Sequence, residues 1–156
     1  MLSKLISPAD IKINLESTEK EECFAELIEV AVSKQPQISR TEALEALCQR
    51  EEKLSTAIFP FVAVPHAICK SIKKTSLIIG ISRKGIEFDS VEPEGNSKYS
   101  VVNIVFLTLL EENSTEEHIH VLRDILQIVS APDFVNRVLQ ANTSLEVYDL
   151  INEFEM

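Results

Sequence analysis

Glycine is scarce in this chain. Three glycines among 156 residues leave no room for a collagen-like repeat or a flexible linker. A cationic surplus is missing as well: 15 lysines and arginines against 25 acidic residues give a formal net charge of −10. That balance argues against nucleic acid, which wants a basic footprint. It suits instead a partner with a basic docking face. The three cysteines, Cys23, Cys48 and Cys69, are an odd number without paired spacing. They read as buried, reduced thiols of a cytoplasmic protein rather than a disulfide framework. The N-terminus is broken by Pro8 too early to be a signal peptide. No apolar stretch approaches the roughly 20 residues of a membrane-spanning helix, so membrane insertion is not expected.

Chemical motifs are equally thin. The chain has no Gly-x-Ser-x-Gly, no glycine-rich phosphate loop and no Cys-x-x-Cys pair. Only three histidines occur, His66, His118 and His120. On a helix, His118 and His120 would point about 200° apart, so they cannot hold one ion together. Two ligands do not make a zinc site, so a metal is not expected.

What is present centres on Phe61-Val62-Ala63-Val64-Pro65-His66-Ala67. Four apolar residues run into proline, which pushes Val64 into an extended conformation and cannot donate to a ladder. The run predicts a short buried strand that stops at Pro65 with His66 at its mouth. A histidine so placed has a rigid base and a ring within reach of solvent. The alternative is an ordinary loop histidine after a core strand.

Around this stretch the chain reads as one domain of 156 residues. Ile11, Ile13 and Leu15 alternate as in a half-buried strand. Thr18 with Glu21, Ser39 with Glu42, Ser114 with Glu117 and Thr143 with Glu146 each give the signal of a capped helix start. They predict helices over 18–34, 39 to about 50 or 53, 114–129 and 143 to the end, with a short one over 133–140. Residues 76–82 and 101–110 read as strands, Arg83-Lys84-Gly85 as a turn, Ile86, Phe88 and Val91 as a short extended piece, and 92–99 as a loop. The connections between the middle strands are too short for helical crossovers. The fold class is therefore α/β or α+β, one mixed sheet with antiparallel pairs, covered by helices.

Helical geometry also separates the two later histidines. His118 shares a stripe with Leu122, Ile125 and Val129, which must face the sheet, whereas His120 lies with Arg123, Asp124 and Gln127 on the wet face. One reading of His118 is a histidine at the core edge bonded to a carbonyl. The other has it facing His66 across a small cleft beside a helix start, a setting suited to phosphate. An imidazole can itself be the nucleophile and take a phosphoryl group if cations hold its oxygens. A Cys69–His pair lacks any activating motif beyond nearby lysines.

Arg50-Glu51, Thr56 and Val62-Ala63-Val64-Pro65-His66 together resemble the signature of enzyme IIA domains of the mannitol/fructose class. These belong to the bacterial phosphoenolpyruvate-dependent sugar phosphotransferase system. Gly85-Ile86-Glu87-Phe88-Asp89-Ser90, the strand Val102–Leu110, His118-Ile119-His120-Val121-Leu122 and the closing helices from Phe134 to Phe154 extend the likeness over nearly the whole chain. The resemblance implies a mixed, roughly five-stranded sheet with helices on both faces. It implies that His66 accepts phosphate from the carrier HPr and passes it to an enzyme IIB domain. His118 would be the second active-site histidine, Arg50 the cation near the phosphate, and Thr56 a polar neighbour; no cofactor is implied. A regulatory protein of the nitrogen-related branch, signalling by phosphorylation-dependent binding, is the alternative. A third is a binding module that no longer turns over. The link before the strand, glycine-rich in the family, is here Ala57-Ile58-Phe59-Pro60-Phe61, and Ala67 stands where glycine often follows the histidine.

Overall fold

A computed structural model describes residues 1–89 and 101–156. The expected loop at 92–99 and the extended position of Val91 lie outside the described residues. The elements run α1 (Leu2–Leu5), β1 (Ile11–Lys12), α2 (Lys20–Lys34), α3 (Arg40–Lys53), β2 (Val62–Ala63) and β3 (His66–Ile68). They continue with β4 (Ser76–Glu87), β5 (Val101–Leu110), α4 (Thr115–Val129), α5 (Phe134–Gln140) and α6 (Ser144–Glu155). A 3-10 turn over Pro8–Asp10 precedes β1.

The five strands form one mixed sheet in the order β1-β4-β5-β2, with β3 also paired to β5. The β4–β5 pair is antiparallel, while β1 runs parallel to β4 and both β2 and β3 run parallel to β5. This is the expected α/β architecture, with helices on both faces. One face carries α2 and α3, packed through Phe24, Leu27, Ala43 and Leu47 on Val105, Leu107 and Leu109. The other carries α1, α4, α5 and α6, packed through Val121, Ile125, Phe134 and Ile151 on Ile104, Phe106, Leu77 and Ile79. Alternate residues of β5 thus feed two separate cores, which is why Val102–Leu110 is an almost unbroken apolar run.

Four local expectations are corrected. The alternation at Ile11–Leu15 gives only two ladder residues, because Ile11 packs into one core and Leu15 into the other as the chain crosses the sheet edge. The Leu15 N–H still donates to the Ile81 carbonyl at 3.0 Å. Thr18 does not cap α2; its carbonyl accepts the Glu87 N–H at 3.0 Å, extending the sheet, and the helix starts at Lys20 after Glu19. Ser114 does not cap α4 either: its hydroxyl donates to Glu111 Oε2 at 2.7 Å. Ser39 and Thr143 do cap, each accepting the N–H three residues on.

The expected turn at 83–85 is instead swallowed by one long strand. Pairing runs from Ile81↔Ile104 to Ile86↔Val102, so the intervening residues of β4 loop out as an irregularity. Gly85 sits there at φ +94°, where a side chain would be strained and would also collide with Val101. Across the same irregularity the Phe61 carbonyl accepts both the Asn103 and Ile104 N–H groups, at 2.9 and 3.0 Å.

Candidate functional site

The strand expected to stop at Pro65 does end there, but the chain rejoins the sheet at once. β2 gives way at Val64-Pro65 and resumes as β3, which His66 opens. Pairing to β5 keeps the same offset across the gap: Val62↔Ile104 and Ala63↔Val105 before it, His66↔Thr108 and Ala67↔Leu109 after it. Pro65 lacks a donor, yet its carbonyl accepts the Thr108 N–H at 2.9 Å, and the Val64 N–H turns away to the Thr56 carbonyl at 3.1 Å. The interruption therefore diverts one donor without losing register. By alternation His66 falls on the face that carries α4, together with Val62 and Val64.

His66 is half-buried, and its Nδ1 lies 2.8 Å from the Val64 carbonyl. A carbonyl can only accept, so Nδ1 carries the proton and Nε2 keeps its lone pair. Burial holds the imidazole below its ordinary pKa of 6.5. The Val64 carbonyl and the Glu51 carboxylate oppose that shift, while the Arg50 charge adds to it. The outcome is a neutral ring at neutral pH with one nitrogen fixed and the other available, the form a nucleophilic imidazole needs.

Arg50 closes the last turn of α3, and its Nη1 donates to the Leu54 carbonyl at 2.8 Å. Thr56 is buried and does not offer its hydroxyl to the site: Oγ1–H and the backbone N–H both donate to the Glu51 carboxylate, each at 2.7 Å. Glu51 is itself only 4% exposed. Sequence reasoning gave it no role, although its place beside Arg50 at the end of a polar helix face, five residues before a threonine, was the available signal. It acts as a clamp, fixing the segment whose Thr56 carbonyl receives the Val64 N–H.

His118 is half-buried, and its Nε2 bonds the Glu111 backbone carbonyl. That is the carbonyl-bonded arrangement expected of a histidine at the core edge. It also brings the ring to the residue just after β5, on the α4 side of the sheet that His66 shares. Among the described residues no hydrogen bond joins His66 to His118, Arg50 or Thr56. His118 reaches the chain just after β5, the strand that pairs with His66, and the Arg50 charge acts on the His66 ring. His120 is exposed and its Nδ1 accepts from Arg123 Nη2 at 2.7 Å, as the wet-face assignment requires.

The second missed residue is Glu42, read from sequence only as a helix-start acid. Its Oε1 accepts from Ser71 N–H and Oγ at 2.9 Å and from the Cys69 thiol at 3.1 Å. Cys69 is thereby occupied as a donor, and burial pushes its thiol up from the ordinary value. It is not an activated nucleophile. Upstream, Phe61 adopts φ 68°, a left-handed conformation that an aromatic side chain rarely takes. Phe59, Pro60 and Phe61 line a hollow of about 220 Å³ together with Val129 and Ala131.

A five-stranded mixed sheet with helices on both faces makes this an α/β domain with a half-buried histidine on an interrupted edge of the sheet, and the comparisons give its family. Residues 4–154 match the profile of the family described as "Phosphoenolpyruvate-dependent sugar phosphotransferase system, EIIA 2", and the chain belongs to that family. It is 25% identical over 154 residues to the fructose-specific EIIABC component of Bacillus subtilis, covering 99% of this chain and 23% of that relative. The chain thus spans about a quarter of that protein's length. The nitrogen regulatory protein IIA-Ntr of Neisseria meningitidis has the same fold, with a TM-score of 0.83 at 23% identity over 96% of this chain and 98% of that one. So does the Escherichia coli mannitol enzyme IIA, solved in complex with phosphorylated enzyme IIB, with a TM-score of 0.76 at 20% identity over 95% and 97%. Among the described residues no helix is long and apolar enough to cross a membrane.

Proposed function

We propose that residues 1–156 act as one cytoplasmic phosphocarrier domain in which His66 Nε2 takes a phosphoryl group from phosphorylated HPr and yields it to an enzyme IIB domain during sugar uptake. The observation that carries this reading is the tautomer. With Nδ1–H held by the Val64 carbonyl at 2.8 Å, the lone pair on Nε2 attacks phosphorus in line while the bond from phosphorus to the donor breaks. The reverse exchange with the acceptor regenerates the neutral ring. Arg50 supplies positive charge toward the phosphoryl oxygens, and His118 helps to orient them from the α4 side. Thr56 contributes through the clamp on Glu51, by fixing the segment before the strand. The transfer as proposed needs no metal or organic cofactor. The acidic net charge of −10 favours encounter with a basic carrier.

Incubation with phosphoenolpyruvate, enzyme I and HPr tests this. An acid-labile adduct of about 80 Da on His66, absent from His66→Ala, is the expected result. No adduct, with a control enzyme IIA labelled in the same tube, would sink the proposal and favour a binding module that does not turn over.

The likeness to a nitrogen regulatory protein supports a second reading, in which phosphorylated His66 governs binding to another protein. Rapid loss of the phosphoryl group to an enzyme IIB protein selects transport. A long-lived phosphoprotein with phosphorylation-dependent binding selects regulation.

A further inference from the structure

Thr108 stands out by what it lacks. It is 0% exposed, and among the described residues its Oγ1 is the one buried side-chain polar atom without a hydrogen-bond partner. The other buried polar side chains of the sheet region have found theirs: Thr56 on Glu51, Ser82 with the Gly85 N–H, Thr75 with the Glu111 N–H. An orphaned hydroxyl is destabilising, and valine would fill the same space without it.

Its surroundings narrow the explanation. Thr108 pairs with Leu77 on one side and His66 on the other. Along β5 its same-face neighbours are Phe106 and Leu110. Directly opposed residues of paired strands share a face, with strands about 4.8 Å apart. Of these four neighbours only His66 is polar. His66 in turn has one nitrogen committed to Val64 and the other without a hydrogen bond among the described residues.

Resting on the carrier reading of His66, we propose that the Thr108 hydroxyl is a donor held in reserve: unpaired in the free protein, it donates to an oxygen of the phosphoryl group on His66 Nε2. The proton stays on Oγ1 throughout; only a hydrogen bond forms. Because a bond to a charged phosphoryl oxygen is stronger than one between neutral groups, the same hydroxyl weakens the free state and stabilises the phosphorylated one.

Thr108→Val and Thr108→Ser test this, with potassium phosphoramidate as the phosphoryl donor so that no partner protein is needed. Urea unfolding is followed for each chain before and after labelling. The free valine variant should unfold at a midpoint equal to wild type or about 0.5 M higher. Phosphorylation should raise the midpoint of wild type and of the serine variant clearly more than that of the valine variant. The phosphorus resonance of the valine variant should also move away from the position shared by the other two. A free valine variant less stable than wild type would mean that the hydroxyl already had a partner, overturning the inference. Equal gains on phosphorylation in all three chains would overturn it too, leaving the carrier reading intact. A wild-type chain that takes no phosphoryl group on His66 would overturn both.

Discussion

Two glutamates of α3 grip the two flanks of the His66 strand, and they do it differently. Glu51, at the C-terminal end of the helix, is buried and uses both oxygens on one residue, Thr56. Glu42, near the N-terminal end, is half-buried and gathers Ser71 and Cys69 on a single oxygen. The first clamp fixes the segment before the interruption, where the chain is strained at Phe61. The second fixes the segment after it, where β3 already holds the backbone. A buried carboxylate with two short bonds is worth more than a wet one with three, since an unpaired group left in the interior has no water to turn to. The side of His66 with the weaker backbone pairing therefore has the stronger clamp.

Removing the upstream clamp should have the largest effect. Glu51→Ala strands the Thr56 N–H and hydroxyl and is expected to cost about 3 kcal/mol in urea unfolding. It should also slow labelling of His66 as the segment behind Val64 loosens. The downstream counterpart, Glu42→Ala, should cost about 1 kcal/mol or less, and its clearer signature should be faster reaction of Cys69 with a thiol reagent. Equal losses from the two variants would break the comparison.

Smaller effects sharpen it. Arg50 lies beside the upstream clamp and its charge helps to depress the His66 pKa. Arg50→Gln should therefore raise that pKa, as read by NMR titration, whereas Glu42→Ala should leave it in place. The depressed value also sets a pH dependence. Between the folded value and the ordinary 6.5 the unfolded chain binds more protons at this histidine than the folded chain does. This part of the stability is complete above about 6.5 and lost as the pH falls through that window, and His66→Gln should flatten it. The smallest effect belongs outside both clamps: His120→Ala, on the exposed face, should change stability by less than about 0.5 kcal/mol and leave labelling of His66 unaltered.

Much of this was legible in the sequence because it rests on local pattern. The Val101–Leu110 run, the Ser39 and Thr143 caps, and the opposite faces of His118 and His120 follow from periodicity and helix geometry. Thr18 and Ser114 misled because each is drawn to the sheet end instead of capping: the Thr18 carbonyl takes the Glu87 N–H, and the Ser114 hydroxyl turns back to the Glu111 carboxylate just after β5. The turn residues at 83–85 were recognised, but nothing local says that a strand will resume in pairing beyond them. The clamps went unread for a related reason. Glu51 and Glu42 look like surface acids on a polar helix until the fold brings them against residues 56 and 71. His66 and His118 were singled out by strand and helix pattern and Arg50 by the family likeness; the structure adds the tautomer of His66 and decides for the carbonyl bond of His118.

The unbroken offset between β5 and the two halves of the neighbouring strand works like a reading frame. Sheet side chains alternate, so the face on which His66 emerges is a matter of odd or even, set by counting from Val62. Length changes at Ile58–Pro60 fall before that count begins, between the buried Ala57 and the Phe61 carbonyl that anchors to β5, and leave the parity untouched. A single residue deleted between Val62 and Pro65 would shift the phase, turning the imidazole toward α3 and an alanine toward α4. The interruption at Pro65 is tolerated because it changes the hydrogen bonding without changing the parity.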